Sequence, residues 1–323
     1  MNILITGCAG FIGHHLSKKL LNKKNNTIIG IDSVDKRFDA KLKTDRLYEL
    51  QKYKNFKFFK QNISNYKKNE ILFKKYKFDK VIHLAAKAGV RYSIYNPKLY
   101  IQSNINGFFN ILDLSRRYQI KHFLFASSSS VYGKSKIFPQ SEEISSDNPE
   151  SFYAATKKSN ELMAHSYSSI YGIPCTGIRF FTVYGEFVRQ DMALHKFVSS
   201  INKNKKINVF NYGNHQRDFT HVSDVVKVVV KLINKPAKSK VPYQILNLGS
   251  ARPSSLENFI GIIEKNLGKK ANINQIKLQS GDVIKTEASI KKLRKVIKIH
   301  KFLDLKKGIY NFVKWYKSYY IKK

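Results

Sequence analysis

Asn2-Ile3-Leu4-Ile5-Thr6-Gly7-Cys8-Ala9-Gly10-Phe11-Ile12-Gly13 opens the chain and decides its architecture. Three apolar residues, Ile3, Leu4 and Ile5, lead into a glycine loop, and the loop runs into an apolar-periodic helix. Gly7 permits the tight turn, Gly10 lets backbone approach a pyrophosphate, and Gly13 lets helix and strand pack closely. The helix N-terminus then offers N–H groups and positive dipole character to phosphates. A second strand, Thr27–Ile31, ends beside Asp32, which lies 19 positions after Gly13. A carboxylate there can bind the adenosine ribose hydroxyls and repels a 2′-phosphate. The cofactor read from these residues is therefore NAD rather than NADP, with Lys36 and Arg37 nearby as the features that count against that preference.

Working outward, further strands are expected at Phe56–Lys60, Lys80–Leu84, Lys121–Ser127 and Pro174–Phe180, with helices at Phe11–Leu21, Pro97–Tyr118 and Ser151–Tyr171. Strands alternating with helices imply βαβ units and a parallel sheet. Phe123, Leu124 and Phe125 mark a strand buried on both faces. Beyond Phe180, Gly185, Gly213 and Gly249 separate shorter elements, with helices near Asp191–Asn202, Val222–Asn234, Ser254–Leu267 and Leu305–Tyr320. The fold class is α/β: a doubly wound parallel sheet over residues 1–180 and a smaller α/β substrate domain over 181–323, with a border that the chain is expected to cross more than once.

The chain has 323 residues and a formal net charge of +37. Only ten of its 59 basic residues are arginine. Readers of nucleic-acid sequence favour arginine for its bidentate fork, and the lysines here are scattered. The bias follows the A- and T-rich codons of Lys, Asn, Ile and Tyr, so no nucleic-acid partner is expected. A general positive field can still attract a diphosphate. No apolar run is long enough to span a bilayer, and the start lacks the pattern of a secretory leader. A cytoplasmic protein is expected. Cys8 and Cys175 form neither a disulfide framework nor a metal-ligand spacing, and no metal is expected.

Tyr153-Ala154-Ala155-Thr156-Lys157 begins a long helix, placing Tyr153 and Lys157 on one face. An ammonium beside a phenol favours the phenolate, so Lys157 is expected to lower the Tyr153 pKa. A phenolate near neutrality can take a proton from a sugar hydroxyl. Before this helix stands Ser127-Ser128-Ser129-Ser130, just past a strand end, where ligands sit in open α/β sheets. A serine hydroxyl there can bond both a substrate oxygen and Tyr153. The residues alone leave the choice among Ser128, Ser129 and Ser130 open.

The glycine loop and Leu84-Ala85-Ala86 resemble the extended short-chain dehydrogenase/reductase family, which implies a Rossmann fold and hydroxyl oxidation with NAD. The resemblance makes Ser128 the catalytic hydroxyl beside Tyr153 and Lys157. It puts Gly7, Gly10, Phe11, Ile12, Gly13, Asp32, Asn62, Ile63, Leu84, Ala85, Ala86 and Asn104 at the cofactor. Asn62 stands where the family usually has aspartate. The Asp-Glu pair of the 4,6-dehydratases is replaced by Ser129 and Ser130, which disfavours dehydration.

Further segments are similar to the UDP-glucuronate 4-epimerases. They are His83–Ser93, Ser151–Lys158, Asn160–Ala164, Arg179–Gly185, Arg189–Ala193, Arg217–Thr220 and Gln279–Val283. The resemblance implies 4-epimerisation of a UDP-sugar through a 4-keto intermediate, with NAD not consumed. It implies substrate contacts from Lys87, Arg91, Ser93, Ser129, Ser130, Thr182, Arg189, Arg217 and Asp282. Arg189 and Arg217 would hold the diphosphate, while Thr182, Ser93 and the Gly89–Arg91 backbone would grip a uronate carboxylate. Related enzymes dimerise through two long helices, here Pro97–Tyr118 and Ser151–Tyr171. Glu186-Phe187-Val188 departs from the usual Pro-aromatic-Gly run and sets an acid beside an anionic substrate. Rival readings are a 4-epimerase of a neutral or N-acetylated UDP-hexose, a UDP-uronate decarboxylase or reductase, and a non-enzymatic NAD sensor.

Overall fold

The computed structural model describes residues 1–35, 40–279, 281–299 and 301–321. Lys36, Arg37 and Ser280 lie outside the described residues. Twelve strands are described: β1 Asn2–Thr6, β2 Thr27–Asp32, β3 Phe56–Lys60, β4 Lys80–His83, β5 His122–Ser128, β6 Cys175–Phe180, β7 Thr182–Tyr184, β8 Lys206–Phe210, β9 Gln216–His221, β10 Tyr243–Leu248, β11 Pro253–Ser255 and β12 Asn272–Ile276. The helices are α1 Phe11–Leu21, α2 Ala40–Gln51, α3 Tyr66–Tyr76, α4 Val90–Tyr95, α5 Pro97–Tyr100, α6 Gly107–Arg117, α7 Phe152–Tyr171, α8 Ala193–Asn202, α9 Val222–Leu232, α10 Leu256–Leu267, α11 Lys291–Val296 and α12 Leu305–Tyr320.

Seven strands form one parallel sheet in the order β10-β6-β5-β4-β1-β2-β3. The order reverses between β1 and β4, so their carboxyl ends diverge into a crevice where ligands sit in such sheets. Apolar residues of α1, α2, α9 and α11 cover one face of the sheet, and those of α3, α6 and α7 cover the other. Phe123, Leu124 and Phe125 of β5 are fully buried, as a strand covered on both faces requires. Residues 222–248, beyond position 180, supply α9 against α1 and the seventh strand. The remaining C-terminal elements carry a third core, in which α8, α10 and α12 pack around Phe219 and Phe259, whose rings stack at 4.3 Å.

The expected helix over Pro97–Tyr118 is not continuous. Between α5 and α6 the chain takes a π-helical turn over Ile101–Asn106. Such turns insert a residue and re-aim side chains, often at functional sites. This one turns Asn104 inward, where it is 1% exposed. At Gly107 a Cβ would stand 2.6 Å from the Ile63 side chain, so α6 can approach β3's following loop only with glycine there.

Helix α7 has local signals at both ends. The Ser151 hydroxyl accepts the Ala154 N–H at 3.1 Å, which satisfies one of the free donors of a first turn. Gly172 closes the helix at φ 65, a left-handed cap that favours glycine. These caps fix the start of the Tyr153–Lys157 turn relative to β5.

Candidate active site

A cavity of about 770 Å³ runs across the carboxyl ends of β1, β2, β4 and β5. Gly7, Gly10, Phe11, Ile12 and Gly13 line one wall, with Asp32, Asn62, Ile63, Leu84, Ala85 and Ala86 beside them. The glycine loop is a cradle that side chains would fill. A Cβ at Gly13 would stand 2.1 Å from the Gly7 carbonyl oxygen, and one at Gly7, held at φ +73, 2.8 Å from the Ala85 nitrogen. No acidic residue occupies the first turn of α1, which keeps its dipole free for an anion. Asp32 is fixed at the end of β2: its carboxylate accepts the Val34 N–H at 2.8 Å and the Ala9 N–H at 3.2 Å. This wall fits a dinucleotide with free ribose hydroxyls.

Three lining residues of this half carry no sequence signal. Asp35, Lys43 and Arg46 flank Asp32, and Lys87 forms an ion pair with Asp35 across the crevice. Lys43 donates to the Asp35 carbonyl at 2.8 Å, while Arg46 donates to the Ala9 carbonyl of the glycine loop at 2.9 Å. Lys43 and Arg46 come from α2, which carries no motif of its own. Lys87 was expected at the substrate, whereas its ammonium here faces the β2 side of the crevice.

At the other end of the cavity stand Ser128, Ser129, Ser130, Tyr153, Lys157, Thr182 and Arg189. Ser128 ends β5; its hydroxyl donates to that of Ser130 at 3.1 Å and stands close enough to Tyr153 to favour the phenolate. Desolvation in the cavity wall raises the Tyr153 pKa, while Ser128 and the charge of Arg189 pull it down. The expected lowering by Lys157 is therefore corrected. The Lys157 ammonium donates to the Ala126 carbonyl at 2.9 Å, and the cation that favours the phenolate is Arg189. Burial lowers Lys157 itself to about 8, with Glu161 opposing the fall. The Arg189 guanidinium makes paired bonds to Asp191 at 2.9 and 2.8 Å, which hold it at the rim. The phenol, the serine hydroxyl and the guanidinium form a proton-handling group beside the dinucleotide wall.

Five expected contact residues lie off the cavity lining. Asn104 sits behind it, accepting the Lys87 N–H at 2.7 Å and donating to the Lys87 carbonyl at 3.0 Å, so it fixes the lining backbone. Ser93 is fully buried; its hydroxyl accepts the Tyr153 N–H at 3.1 Å and donates to the Val90 carbonyl at 2.6 Å. It anchors the start of α7. Arg91 pairs with Asp282 at 2.9 Å and lies over the Phe210 ring at 4.4 Å. Arg217 is turned to the carbonyls of Gln216, Val283 and Ile284. Each of these side chains takes a nearer protein partner. Glu186 also points away: its carboxylate stands 3.3 Å from His221, and its carbonyl accepts from His15 at 2.9 Å. The acid that the sequence places near an anionic substrate is thus paired elsewhere.

Residues 3–249 match the model of the NAD dependent epimerase/dehydratase family. The chain belongs to that family. Within it, the chain is 46% identical to Protein CapI of Staphylococcus aureus over the full length of both. It is 38% identical to a UDP-glucuronate 4-epimerase of Thermodesulfobacterium geofontis, covering 98% of this chain and 96% of the other. Its structure is similar to that of the UDP-glucuronic acid 4-epimerase of Bacillus cereus in complex with UDP-glucuronic acid and NAD. There the TM-score is 0.93 at 32% identity, covering 99% of this chain and all of the other. The extended short-chain dehydrogenase resemblance read from the glycine loop and Leu84-Ala85-Ala86 thus holds over the whole chain.

Proposed function

We propose that the protein is a UDP-glucuronate 4-epimerase that works with resident NAD. The observation that carries this reading is the meeting of Tyr153, Ser128 and Arg189 at the far end of a glycine-lined dinucleotide crevice. Full-length relatives that act on UDP-glucuronate support the substrate.

Bound along Gly7–Gly13 and Asp32, NAD supplies reversible two-electron chemistry at sugar C4. Tyr153 takes the proton of the 4-hydroxyl through its phenolic oxygen, with Ser128 bonded to both oxygens. Arg189 lowers the cost of the phenolate and anchors the diphosphate through charge-assisted bonds. A sugar held by its nucleotide can turn about the diphosphate link and present the other face of its 4-keto group, to which Tyr153 returns the proton. Ser129, Ser130 and Thr182 line the cavity where the uronate carboxylate is held. That grip keeps the C–C bond of a β-keto acid poorly aligned for loss of carbon dioxide. Lys87 lies between the two ligands' sites. Arg91, Arg217 and Asp282 would contact the nucleotide only after leaving their present partners.

The substrate half consists mainly of residues 181–323, less the segment that returns to the sheet. We read the assembly as a homodimer through α6 and α7, where Phe109, Leu162, Ile170 and Tyr171 are 41%, 60%, 68% and 51% exposed. No described helix is long and apolar enough to cross a membrane. Buried free Cys8 and Cys175 suit a reducing cytoplasm.

The test is incubation of purified protein with UDP-glucuronate, followed by chromatography. The expected product is UDP-galacturonate without added NAD. A UDP-pentose as the main product would make it a decarboxylase. Conversion of UDP-glucose or UDP-N-acetylglucosamine with UDP-glucuronate untouched would overturn the uronate assignment.

A further inference from the structure

We propose that Glu161, clamped by Arg179, is a positioning residue for the reaction and sets the placement and charge of Lys157. The inference rests on the epimerase reading above. Tyr153, Lys157 and Glu161 follow one another at four-residue intervals, so they share one face of α7. Glu161 is the last of the three and reaches into the sheet. Its side chain is 4% exposed and that of Arg179 is 5% exposed.

One carboxylate ties three elements together. It accepts from Arg179 Nε at 2.9 Å on one oxygen and from Arg179 Nη2 at 2.8 Å on the other. It also accepts the Ser127 hydroxyl at 2.5 Å. Ser127 pairs in register with Arg179 across β5 and β6. On one side of Ser127 stands Ala126, whose carbonyl takes the Lys157 ammonium; on the other stands Ser128, the partner of Tyr153. Fixing Ser127 therefore fixes both.

A buried ion pair is a poor stabiliser, because desolvating two charges offsets most of their attraction. Apolar side chains of similar volume would hold β5, β6 and α7 together as well. The pair instead places a compensated anion one turn beyond a buried lysine. Glu161 on α7 and His83 on β4 act on Lys157 directly, while Arg179 on β6 and Tyr243 on β10 contact Glu161, Tyr132 after β5 lies against Arg179, and Tyr100 on α5 lies against Tyr153. His83 is held neutral by burial, its pKa lowered to about 3. The Tyr132 hydroxyl donates to Asn247, and that of Tyr243 to the Glu161 carbonyl. Glu161 is the anion of this set and works against the fall that burial imposes on Lys157. Without it, Lys157 gives up its proton at lower pH.

The test is the pH dependence of kcat and kcat/KM for UDP-glucuronate in Glu161→Gln, with protein-bound NAD measured on the same samples. Lys157 lines the cavity beside Tyr153, so loss of its proton is expected to cost turnover; the alkaline limb should move down by about one pH unit, with kcat near pH 8 falling about fivefold. KM and NAD content are expected to stay near wild type. Glu161→Gln leaves a buried guanidinium without its anion, so the double variant Glu161→Gln/Arg179→Gln is measured beside it as an uncharged pair. The displaced limb is expected there too, and Glu161→Asp is expected to restore it. An unmoved alkaline limb in either NAD-retaining variant overturns the role of Glu161. Wild-type protein that converts no UDP-sugar would instead overturn the epimerase reading.

Discussion

The ammonium of Lys157 is held by the carbonyl of Ala126 at 2.9 Å, one helical turn beyond Tyr153. The lysine is thereby fixed to the end of β5, the same strand end that supplies Ser128. A phenol raised by desolvation and a lysine lowered by it stand in one wall.

Replacing Tyr153 by Phe removes the proton acceptor and leaves the ring in its contact with Tyr100 at 6.2 Å. Turnover of UDP-glucuronate should fall about a thousandfold, within the usual span of acid–base contributions. Protein-bound NAD should be unchanged. Chromatographic rates and the absorbance of released cofactor check both. Activity within tenfold of wild type would remove Tyr153 from its role.

Gly13→Ala should lose the cofactor. Its Cβ would stand 2.1 Å from the Gly7 carbonyl oxygen and 3.0 Å from the Cys8 Cα, backbone atoms that cannot yield without opening the loop. Overpacking of this kind destabilises by roughly 1–3 kcal/mol. The variant should purify without bound NAD and melt at a lower temperature.

Thr182→Val keeps the shape of the side chain and removes its hydroxyl. A hydrogen bond to a carboxylate contributes about 1.5–3 kcal/mol, so kcat/KM for UDP-glucuronate should drop roughly tenfold to a hundredfold. A looser carboxylate should also raise the share of UDP-pentose in the products. An unchanged product ratio and rate would place the carboxylate elsewhere.

Acid should unfold the protein early. Burial lowers His83 from 6.5 to about 3, and His15, His122 and His195 to about 4. A base with a lower pKa in the folded state takes its proton first in the unfolded chain. The stability tied to these groups is present in full above about pH 6.5 and is lost as pH falls toward their folded values. For His83 alone the loss by about pH 4 is roughly 3 kcal/mol, which corresponds to a drop of about 5 °C in Tm. Melting curves at pH 7 and pH 4.5 check the direction; a Tm that holds or rises on acidification would contradict it.

Much of the site was legible because its signals are local. The glycine loop, Asp32 and the Tyr153 helix each declare themselves within a few residues, through turn chemistry, a strand end and helical spacing. What was not legible depends on partners distant in sequence. Arg217 found carbonyls at Val283 and Ile284, and Arg91 found Asp282; a motif names such residues but not the direction in which they point. Lys43 and Arg46 reach the crevice from a helix without a motif. The π turn at Ile101–Asn106 keeps an apolar pattern close to that of an ordinary helix, so periodicity alone reads through it. Helical spacing pairs Lys157 with Tyr153, but the strand carbonyl that captures its ammonium comes from 31 residues upstream.

The seventh strand has a consequence for how such a protein can change. Leu246 and Leu248 of β10 are fully buried, and β10 closes the edge of β6 over Cys175–Phe180. A fragment ending at residue 180 would bare that edge and strip α1 of its cover by α9. The sugar-handling half is therefore threaded through the cofactor half and cannot be swapped between proteins as a cassette. A new substrate must be acquired by replacing wall residues one at a time, within a framework that each replacement leaves standing.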